Sequence, residues 1–428
     1  MVRDLKIDWI TLGLYLLIVV LGWFNMYSIS GDEASSVINF SSFHGKQGFF
    51  ILVSLGLGML ILFLDTKFLE VASYYAYAAS LVALLAVLAM SKVSGASSWF
   101  EVGGFKIQPT EFAKVTTLMA LARYMSRYNF TFNKSQDFLT VAAGLFLPMA
   151  MVLLQNDAGS ALVFLGMIFM LYREGLHPAF LIILGVTALV GVVSILLQDV
   201  PNAVGIILVV LVVGTAGTVA LMVLTEKTRL IWVTLLTGVF LCALPLAVNF
   251  VVKPYQSARI RVLVASEEKI EREAKAGDKS LLKARYQLRE SMVAIGSGGL
   301  TGKGYGNGTH TRNDFVPEEQ TDYIFCVIGE EHGFLGTTLI LVLLFALILR
   351  IVYLAENSKS RYARVYGYGM ASVIFMHIFV NVGMTIGLVP TIGIPLPFFS
   401  YGGSSMIAFT MMLFILMNHY SYRQNILN

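Results

Sequence analysis

Residues 9–28 read WITLGLYLLIVVLGWFNMYS, an apolar run without a charged side chain. A helix needs about 20 predominantly apolar residues to cross the hydrocarbon core of a bilayer, and this run has that length. It is longer than the apolar core of a secretory signal peptide, and no clear small-residue cleavage site follows it. We therefore predict a membrane-spanning helix that is retained in the mature protein.

Runs of the same kind recur along the chain of 428 residues. The candidate membrane spans are 9–29, 47–64, 71–91, 109–126, 138–154, 158–172, 177–197, 203–224, 229–252, 322–350, 365–388 and 401–420. Hydrophobic residues make up 57% of the chain and charged residues only 13%, whereas soluble domains carry about 25% charged residues. The composition excludes an assembly of soluble domains. It predicts an all-α integral membrane protein, a polytopic bundle of about 10–12 transmembrane helices.

The distribution of Lys and Arg among the connections predicts the sidedness of the bundle. The basic connections contain Arg123 and Arg127, Arg173, Lys227, and Arg361 and Arg364. The intervening connections at 155–157 and 198–202 contain neither Lys nor Arg. Because basic loops tend to stay in the cytoplasm, both termini are predicted to be cytoplasmic, and residues 253–321 are predicted to form one long extracytoplasmic loop.

This long loop has two parts of different composition. Residues 253–290 mix acidic and basic side chains at helical spacing, which predicts a helical segment on or near the membrane surface. Residues 294–306 read AIGSGGLTGKGYG. Such glycine density permits positive φ angles and close approach to a neighbouring backbone.

Two classes of function find no support in the composition. The chain has two cysteines, Cys242 and Cys326, both inside apolar runs, which favours buried core residues over a disulfide framework or a metal site. It has no arginine-rich patch with interleaved aromatic residues. We therefore expect no nucleic-acid partner.

Several ionisable residues lie where lipid or apolar protein is expected. Glu111 and Lys114 are three residues apart, which places them on one face of a helix. Asp157 lies in a very short external turn, and Glu330 and Glu331 lie inside an apolar run. Intramembrane charges are functional candidates by default, although a structural ion pair or helix cap is the alternative for each. Glu330 and Glu331 point about 100° apart on a helix, so they are expected to have different partners.

The last external connection cannot be a continuous helix. Residues 387–405 read GLVPTIGIPLPFFSYGGSS, with three prolines and repeated glycines. Non-helical backbone at membrane depth is tolerated where it lines a cavity. The segment is therefore a candidate cavity wall, and a re-entrant hairpin with only a packing role is the alternative.

Residues 381–405 resemble the signature of the SEDS family, the shape, elongation, division and sporulation proteins, and within it the elongation branch rather than the division branch. The resemblance continues along nearly the whole chain. Further matching stretches are 108–111 with Lys114, 155–157, Tyr255 and Gln256 with Arg259, 294–303 and 317–331. Each is weak alone, but their order along the chain is specific.

The resemblance implies a function. SEDS proteins are peptidoglycan glycosyltransferases that polymerise lipid II into glycan strands for cell-wall elongation and rod shape, releasing undecaprenyl diphosphate. They act at the outer face of the bacterial inner membrane. Their partners are a class B penicillin-binding protein, which is the crosslinking transpeptidase, and other membrane proteins of the elongation complex.

Two departures from the family pattern affect what can be carried over. Family members usually have about ten transmembrane helices, so this chain is expected to carry an extra helix pair within 203–252. At the position of the family's expected catalytic Asp, counted from Arg259, this chain has Ala265. The candidates for the missing acid are Asp278 first, then Glu267 or Glu268, since glycosyl transfer needs a carboxylate to take the proton of the attacking hydroxyl.

The remaining site residues are assigned to substrate binding. They are Glu111, Lys114, Asp157, Arg259, Lys303, Glu330 and Ser400. Among them the three cations are candidates to neutralise the leaving diphosphate, because Arg binds phosphate through a bidentate fork and Lys as a point charge. A divalent cation, Mg²⁺ or Mn²⁺, could share that role, although no metal-ligand spacing in the sequence identifies its ligands.

Two other functions remain open at this point. A flippase for lipid-linked precursors would also combine intramembrane charges with broken helices, as transporters do. A non-catalytic scaffold for the penicillin-binding protein is the other alternative, because the family's Asp is missing.

Overall fold

The computed structural model describes residues 7–29, 42–89, 98–102, 105–197, 203–224, 237–239, 241–243, 245, 254–275, 279–313 and 315–425. Its first helices are α1 (Trp9–Ile29), α2 (Phe43–Phe63), α3 (Thr66–Leu88), α4 (Pro109–Met125), α5 (Ser135–Leu154), α6 (Ala158–Gly166), α7 (Ile168–Arg173), α8 (Ala179–Leu196) and α9 (Ala203–Leu224). The later helices are α10 (Pro254–Arg261), α11 (Glu267–Lys275), α12 (Ser280–Ser297), α13 (Ile324–Glu356), α14 (Arg361–Thr385) and α15 (Gly403–Asn425).

The prediction of an all-α polytopic membrane bundle is confirmed. Each predicted span except 229–252, most of which lies outside the described residues, coincides with a helix or a pair of helices. Seven of the described helices are long and apolar enough to cross a membrane. The predicted span 158–172 is divided at Met167 into α6 and α7. The extra helix pair stays a prediction, since α9 is described but most of 225–252 is not.

A small β-hairpin interrupts the helical pattern before α4. Its strands β1 (Phe100–Val102) and β2 (Phe105–Ile107) pair antiparallel, with Phe100 opposite Ile107. The sequence places two glycines between the strands, which suits a tight hairpin turn. A search for membrane-length apolar runs could not find strands of three residues, because such runs are several times longer.

The contacts divide the chain into two units. The first comprises residues 1–176, 290–386 and 392–428. In it α4 packs against α3, α14 and α15, and α15 also packs against α2. Both α4 and α14 are largely buried. The inner position of α4 explains how a helix with a charged first turn can lie inside an apolar protein.

The second unit comprises residues 177–289 and 387–391 and contains most of the charged loop. As predicted, the described residues of 253–290 are largely helical, and they form α10, α11 and the start of α12. Their buried faces share an apolar cluster, made by Ala258, Val262, Ile270, Leu281, Ala284 and Leu288. The charged side chains occupy the other faces, which explains the mixture of charge at helical spacing.

The glycine-dense segment after α12 docks on a break in α13. The break is at Gly333, which has a φ of 62° and a ψ of −159°. Backbone hydrogen bonds of 3.0 Å join the Lys303 and Gly304 amides to the carbonyls of Glu330 and Glu331. A Cβ on Gly302 would lie 2.1 Å from the Glu331 carbonyl oxygen. Glycine is required there because the two backbones touch.

Replacing Gly302 by Ala tests this close approach. The new Cβ meets the Glu331 carbonyl and the residue has a φ of +83°, so we expect the free energy of unfolding to fall by roughly 2–4 kcal/mol. Gly299→Ala is the matched control, because Gly299 has a φ of +57° but open space at its Cβ position. It should cost about 1 kcal/mol. Thermal unfolding in detergent measures both, and equal falls in Tm would contradict the steric argument.

Candidate functional site

A polar pocket of about 340 Å³ lies in the first unit. Its described lining residues are Ser98, Trp99, Gln108, Glu111, Asn156, Asp157, Ser160, Glu318, Thr321, Asp322, Gly393, Pro395, Tyr401, Gly402, Ser404 and Ser405. They come from the residues before β1, the start of α4, the turn between α5 and α6, the segment before α13, and the segment that leads into α15. Stretches far apart in the sequence therefore meet around one cavity.

The segment between α14 and α15 is non-helical, as its prolines predicted, and it forms one wall of this pocket. Side chains satisfy the backbone groups that a helix would have paired. Asn381 Nδ2 donates to the Ile394 carbonyl at 2.7 Å. Ser400 Oγ accepts from the Leu396 amide at 2.7 Å, and Ser400 is buried. The structure thus gives Ser400 a role in shaping the wall, and its predicted role in substrate binding stays a prediction.

Asp157 joins the turn before α6 to the start of α4. Its Oδ1 accepts from the Ser160 amide at 2.9 Å, which makes Asp157 the N-cap of α6. Its Oδ2 accepts from Ser160 Oγ at 2.8 Å and from Gln108 Nε2 at 2.9 Å. Helix capping, the structural alternative, therefore applies to Asp157, which also faces the pocket.

Glu111 and Lys114 form an ion pair in the interior of the first unit. Glu111 lies in the first turn of α4, where the helix dipole favours an acid. Lys114 Nζ lies 2.8 Å from Glu111 Oε1, and the Lys114 side chain is fully buried. The ammonium also lies 2.9 Å from His377 Nε2 of α14. Glu111 lines the pocket, whereas the charge of Lys114 is directed at these two partners.

The sequence analysis missed His377. It is 1% exposed and lies in the middle of α14. The available signal was the same one that identified Glu111, an ionisable side chain inside an apolar run. Its partner Lys114 is 263 residues away along the chain, so no local pattern could have paired them.

Glu330 is enclosed by the loop that follows the glycine-dense segment. Its Oε1 accepts from Lys303 Nζ at 2.6 Å and from the Thr309 and His310 amides at 2.8 and 2.9 Å. Its Oε2 accepts from the Thr311 amide at 3.0 Å and from Thr311 Oγ1 at 2.9 Å. The two predicted binding residues Lys303 and Glu330 thus pair with each other. Their roles toward substrate stay predictions.

Glu331 has a different partner from Glu330, as helical geometry predicted. Its Oε1 accepts a hydrogen bond from Ser28 Oγ of α1. Ser28 Oγ in turn accepts from the Gly306 amide at 3.1 Å. These contacts tie the glycine-dense segment to α1 as well as to α13.

The candidate catalytic acids of the loop lie in the second unit. Glu267 begins α11, its side chain is 74% exposed, and it pairs with Arg285 at 2.8 Å. Glu268 is exposed, and Asp278 lies outside the described residues. Neither glutamate is among the described residues that line the polar pocket. The assignment of the base to one of these three acids stays a prediction.

Two further positions of the loop complete the sequence-predicted site. Ala265, at the family's Asp position, packs against the apolar cluster of the second unit. The Arg259 guanidinium lies 5.8 Å from the centre of the Tyr255 ring, within reach of a cation–π contact. Arg259 is half-buried, and its predicted diphosphate contact stays a prediction.

The described part of the chain contains neither a cluster of metal-binding side chains nor a disulfide. Among the described residues no group of three or more His, Cys, Asp or Glu side chains is arranged to hold a metal ion. A divalent cation bound there would need oxygens of the substrate as further ligands. Cys326 is buried and Cys242 is half-buried, and both are free thiols.

An apolar cavity of about 370 Å³ also lies in the first unit. Its described lining residues are Leu21, Phe24, Asn25, Tyr305, Ile328, His332, Gly336, Leu339, Ile340 and Phe399. Burial raises the pKa of the Tyr305 hydroxyl to about 12, so it stays protonated, and it donates to the Phe24 carbonyl at 2.8 Å. Most of the side chains that line the cavity are aliphatic or aromatic.

The chain is similar to known cell-wall proteins over most of its length. The family described as Cell cycle protein, which covers FtsW, RodA and SpoVE, matches residues 8–204 and 202–425. The peptidoglycan glycosyltransferase RodA of Treponema pallidum is 31% identical over 339 residues, covering 73% of this chain and 74% of that protein. The peptidoglycan glycosyltransferase MrdB of Escherichia coli K12 is 29% identical over 352 residues, covering 82% and 78%.

Solved structures agree with these relatives. A chain from a structure described as structural coordination of polymerization and crosslinking by a peptidoglycan synthase complex matches with a TM-score of 0.67 and 26% identity, covering 98% of this chain and 99% of that one. The crystal structure of Thermus thermophilus RodA matches with a TM-score of 0.60 and 24% identity over 97% of both chains, which supports the fold. The family match spans nearly the whole chain and confirms the resemblance of its signature, so this multi-pass membrane protein belongs to the FtsW, RodA and SpoVE family and is RodA-like.

Proposed function

We propose that this protein is a peptidoglycan glycosyltransferase that polymerises lipid II into glycan strands for cell-wall elongation and rod shape. One observation carries the proposal. Four stretches of the family resemblance, 108–111, 155–157, 317–331 and 381–405, all contribute to the lining of the same polar pocket. The stability of a membrane protein rarely requires carboxylates, amides and hydroxyls around an open cavity. Binding of a polar substrate would use all three kinds of group.

The pocket supplies groups suited to a sugar. Gln108, Asn156 and Ser404 offer amide and hydroxyl hydrogen bonds, and Glu111 and Asp157 offer carboxylate oxygens. Transfer of a glycosyl group requires a base for the attacking hydroxyl and stabilisation of the leaving diphosphate. Carboxylates that line the cavity support the first requirement.

The leaving diphosphate needs positive charge. Lys114, Arg259 and Lys303 are the proposed sources, of which Lys114 and Lys303 are already paired with Glu111 and Glu330. A divalent cation, Mg²⁺ or Mn²⁺, is proposed to assist, held by pocket carboxylates together with diphosphate oxygens, where it would neutralise the developing charge. We expect a metal chelator to abolish strand synthesis and added Mg²⁺ or Mn²⁺ to restore it.

The polyprenyl chain of the substrate needs an apolar site. The cavity between α1 and α13 supports this part of the proposal, because it is lined mainly by aliphatic and aromatic side chains. Its volume of about 370 Å³ accommodates part of such a chain. The rest of the chain would lie in lipid.

The proposed setting is the bacterial inner membrane, with both termini in the cytoplasm and the active face outside. The proposed partner is a class B penicillin-binding protein that crosslinks the strands, together with other membrane proteins of the elongation complex. The similarity to a chain of a peptidoglycan synthase complex supports a crosslinking partner. We propose no nucleic-acid partner.

The deciding experiment is polymerisation of labelled lipid II by the purified protein with its cognate crosslinking partner. Glycan strands from the wild type are expected. Asp278→Ala and the double variant Glu267→Ala/Glu268→Ala test the loop acids in the same assay. An intact complex that makes no strands would reject the proposal; precursor translocation into vesicles would then indicate a flippase, and its absence a scaffold.

Lys114→Ala is expected to abolish strand synthesis. The substitution leaves the Glu111 carboxylate buried without its counter-charge, which costs about 3–5 kcal/mol and disorders the pocket floor. Activity should fall at least roughly 100-fold, a change measured by strand yield. The matched control is Lys106→Ala, which removes the exposed ion pair to Glu101 and should leave strand yield unchanged. Normal polymerisation by Lys114→Ala, inserted in the membrane at wild-type yield, would contradict a functional role for the buried pair.

Asp157→Asn separates helix capping from a role in the site. Asn caps a helix about as well as Asp, so Tm should change little. The amide group of Asn can no longer accept from both Ser160 Oγ and Gln108 Nε2. Strand synthesis is expected to fall about tenfold or more, because the two hydrogen bonds that Oδ2 accepts are lost. Wild-type activity in this variant would mean that Asp157 is only a helix cap.

A further inference from the structure

We propose that Glu111 is the general base of strand synthesis and that His377 is the residue that positions it, acting through Lys114. The proposal rests on the proposed function and assigns its proton acceptor. The described hydrogen bonds of Glu111, Lys114 and His377 leave one carboxylate oxygen of Glu111 available at the polar pocket.

The tautomer of His377 follows from its two neighbours. Its Nδ1 lies 3.0 Å from the Pro395 carbonyl oxygen, which can only accept a hydrogen bond, so Nδ1 carries the hydrogen. Its Nε2 lies 2.9 Å from Lys114 Nζ, which can only donate, so Nε2 is the acceptor. The neighbours thus require a neutral imidazole with one fixed tautomer.

Lys114 is held on several sides by these contacts. An ammonium group has three N–H donors. One is directed to Glu111 Oε1 at 2.8 Å and one to His377 Nε2, and the charge lies 5.6 Å from the centre of the Phe409 ring. Because the side chain is fully buried, no water competes for it. The ammonium is therefore fixed in place and fixes Glu111 through one oxygen only.

The second oxygen of Glu111 differs from the first, which Lys114 already engages. Glu111 Oε2 is buried and has no hydrogen-bond partner among the described residues, although Glu111 lines the polar pocket. Glu331 Oε2 is also buried without a described partner, but Glu331 is not among the described residues that line this pocket. A buried carboxylate oxygen without a donor costs free energy, and a ligand hydroxyl in the pocket would supply that donor. Asp157, which lines the same pocket, differs because both of its oxygens already accept hydrogen bonds.

Pro395 connects this arrangement to the pocket wall. It belongs to the non-helical segment between α14 and α15 and itself lines the pocket. Four residues after His377 on α14, Asn381 holds the same segment through the Ile394 carbonyl. One face of α14 therefore positions both the wall of the pocket and, through Lys114, the carboxylate at its floor.

The chemical step balances with these groups alone. The hydroxyl of the acceptor sugar donates to Glu111 Oε2, and its oxygen attacks the anomeric carbon of the donor sugar. As that carbon–oxygen bond forms, the hydroxyl proton passes to Oε2. The bond from the anomeric carbon to the diphosphate oxygen breaks, and the diphosphate leaves with the electron pair. Glu111 later returns the proton to water in the emptied pocket.

The test compares two substitutions of His377 that each keep one of its contacts. His377→Gln keeps an acceptor near the Nε2 position for Lys114, and His377→Asn keeps a donor near the Nδ1 position for Pro395. If His377 positions Lys114, kcat falls about 10–100-fold in His377→Asn with KM within about threefold, and His377→Gln recovers most of it. A purely structural role predicts that kcat follows Tm in both variants.

Glu111→Gln tests the base directly. It removes the proton acceptor at nearly constant shape, so kcat should fall by about 10²–10⁴-fold with KM little changed. The control is Glu101→Gln, an exposed acid outside the described pocket lining, which should keep wild-type kinetics. All variants are assayed as the complex with the crosslinking partner on labelled lipid II, with Tm and complex yield measured beside kcat.

The outcomes separate this proposal from the proposed function. A wild-type complex without any strand synthesis rejects both. If the wild type is active and the Glu111→Gln variant keeps the wild-type kcat, only the assignment of the base is rejected. The same conclusion follows if Glu267→Ala/Glu268→Ala loses synthesis while Glu111→Gln stays active. An active wild type, an inactive Glu111→Gln, and recovery in His377→Gln but not His377→Asn support the assignment.

Discussion

The buried ion pair of Glu111 and Lys114 is the interaction on which the organisation of the site depends. A charge transferred from water into the interior of a membrane bundle must be compensated within the protein, because neither lipid nor water can do so. The charge of Lys114 is compensated by Glu111 on its own helix and by His377 on α14, so this contact joins two largely buried helices of the first unit. From α14 the chain of contacts continues to the pocket wall at Pro395.

The same requirement explains the irregular backbone. A segment that leaves the helical conformation inside the bundle exposes amides and carbonyls that need partners. Asn381 and Ser400 supply them for the segment between α14 and α15. Glu330 supplies them for the loop of Thr309 and Thr311, and the close contact at Gly302 becomes possible because glycine has no side chain. Specific polar side chains thus satisfy the backbone of the irregular segments, and buried apolar side chains such as Leu396 and Phe398 pack the segment between α14 and α15.

The distribution of carboxylates bears on the chemistry. Two of the acids that the sequence singled out have both oxygens engaged: Asp157 caps a helix and binds Gln108, and Glu330 binds a loop. Glu267 and Glu268 are exposed on a charged helix of the second unit. In this family member, which lacks the usual loop Asp, the Glu111 carboxylate of α4 lines the polar pocket. With the pocket known, the absence of one motif residue is therefore a weaker argument against enzymatic activity than it is when only the sequence is considered.

The sequence by itself determined the helices and the family. Apolar runs of membrane length specify spans, because only a helix satisfies its own backbone within lipid, and a long ordered signature specifies a family. The sequence also determined three local features, because each depends only on helix geometry or on proline. Glu111 and Lys114 share one face of a helix, and Glu330 and Glu331 point in different directions. The backbone of 387–405 cannot form a continuous helix. Only the tertiary structure decided that His377 meets Lys114, that Lys303 pairs with Glu330, and which stretches enclose the pocket. Those contacts join residues distant in the chain, and helical periodicity carries no information about which faces of separate helices meet.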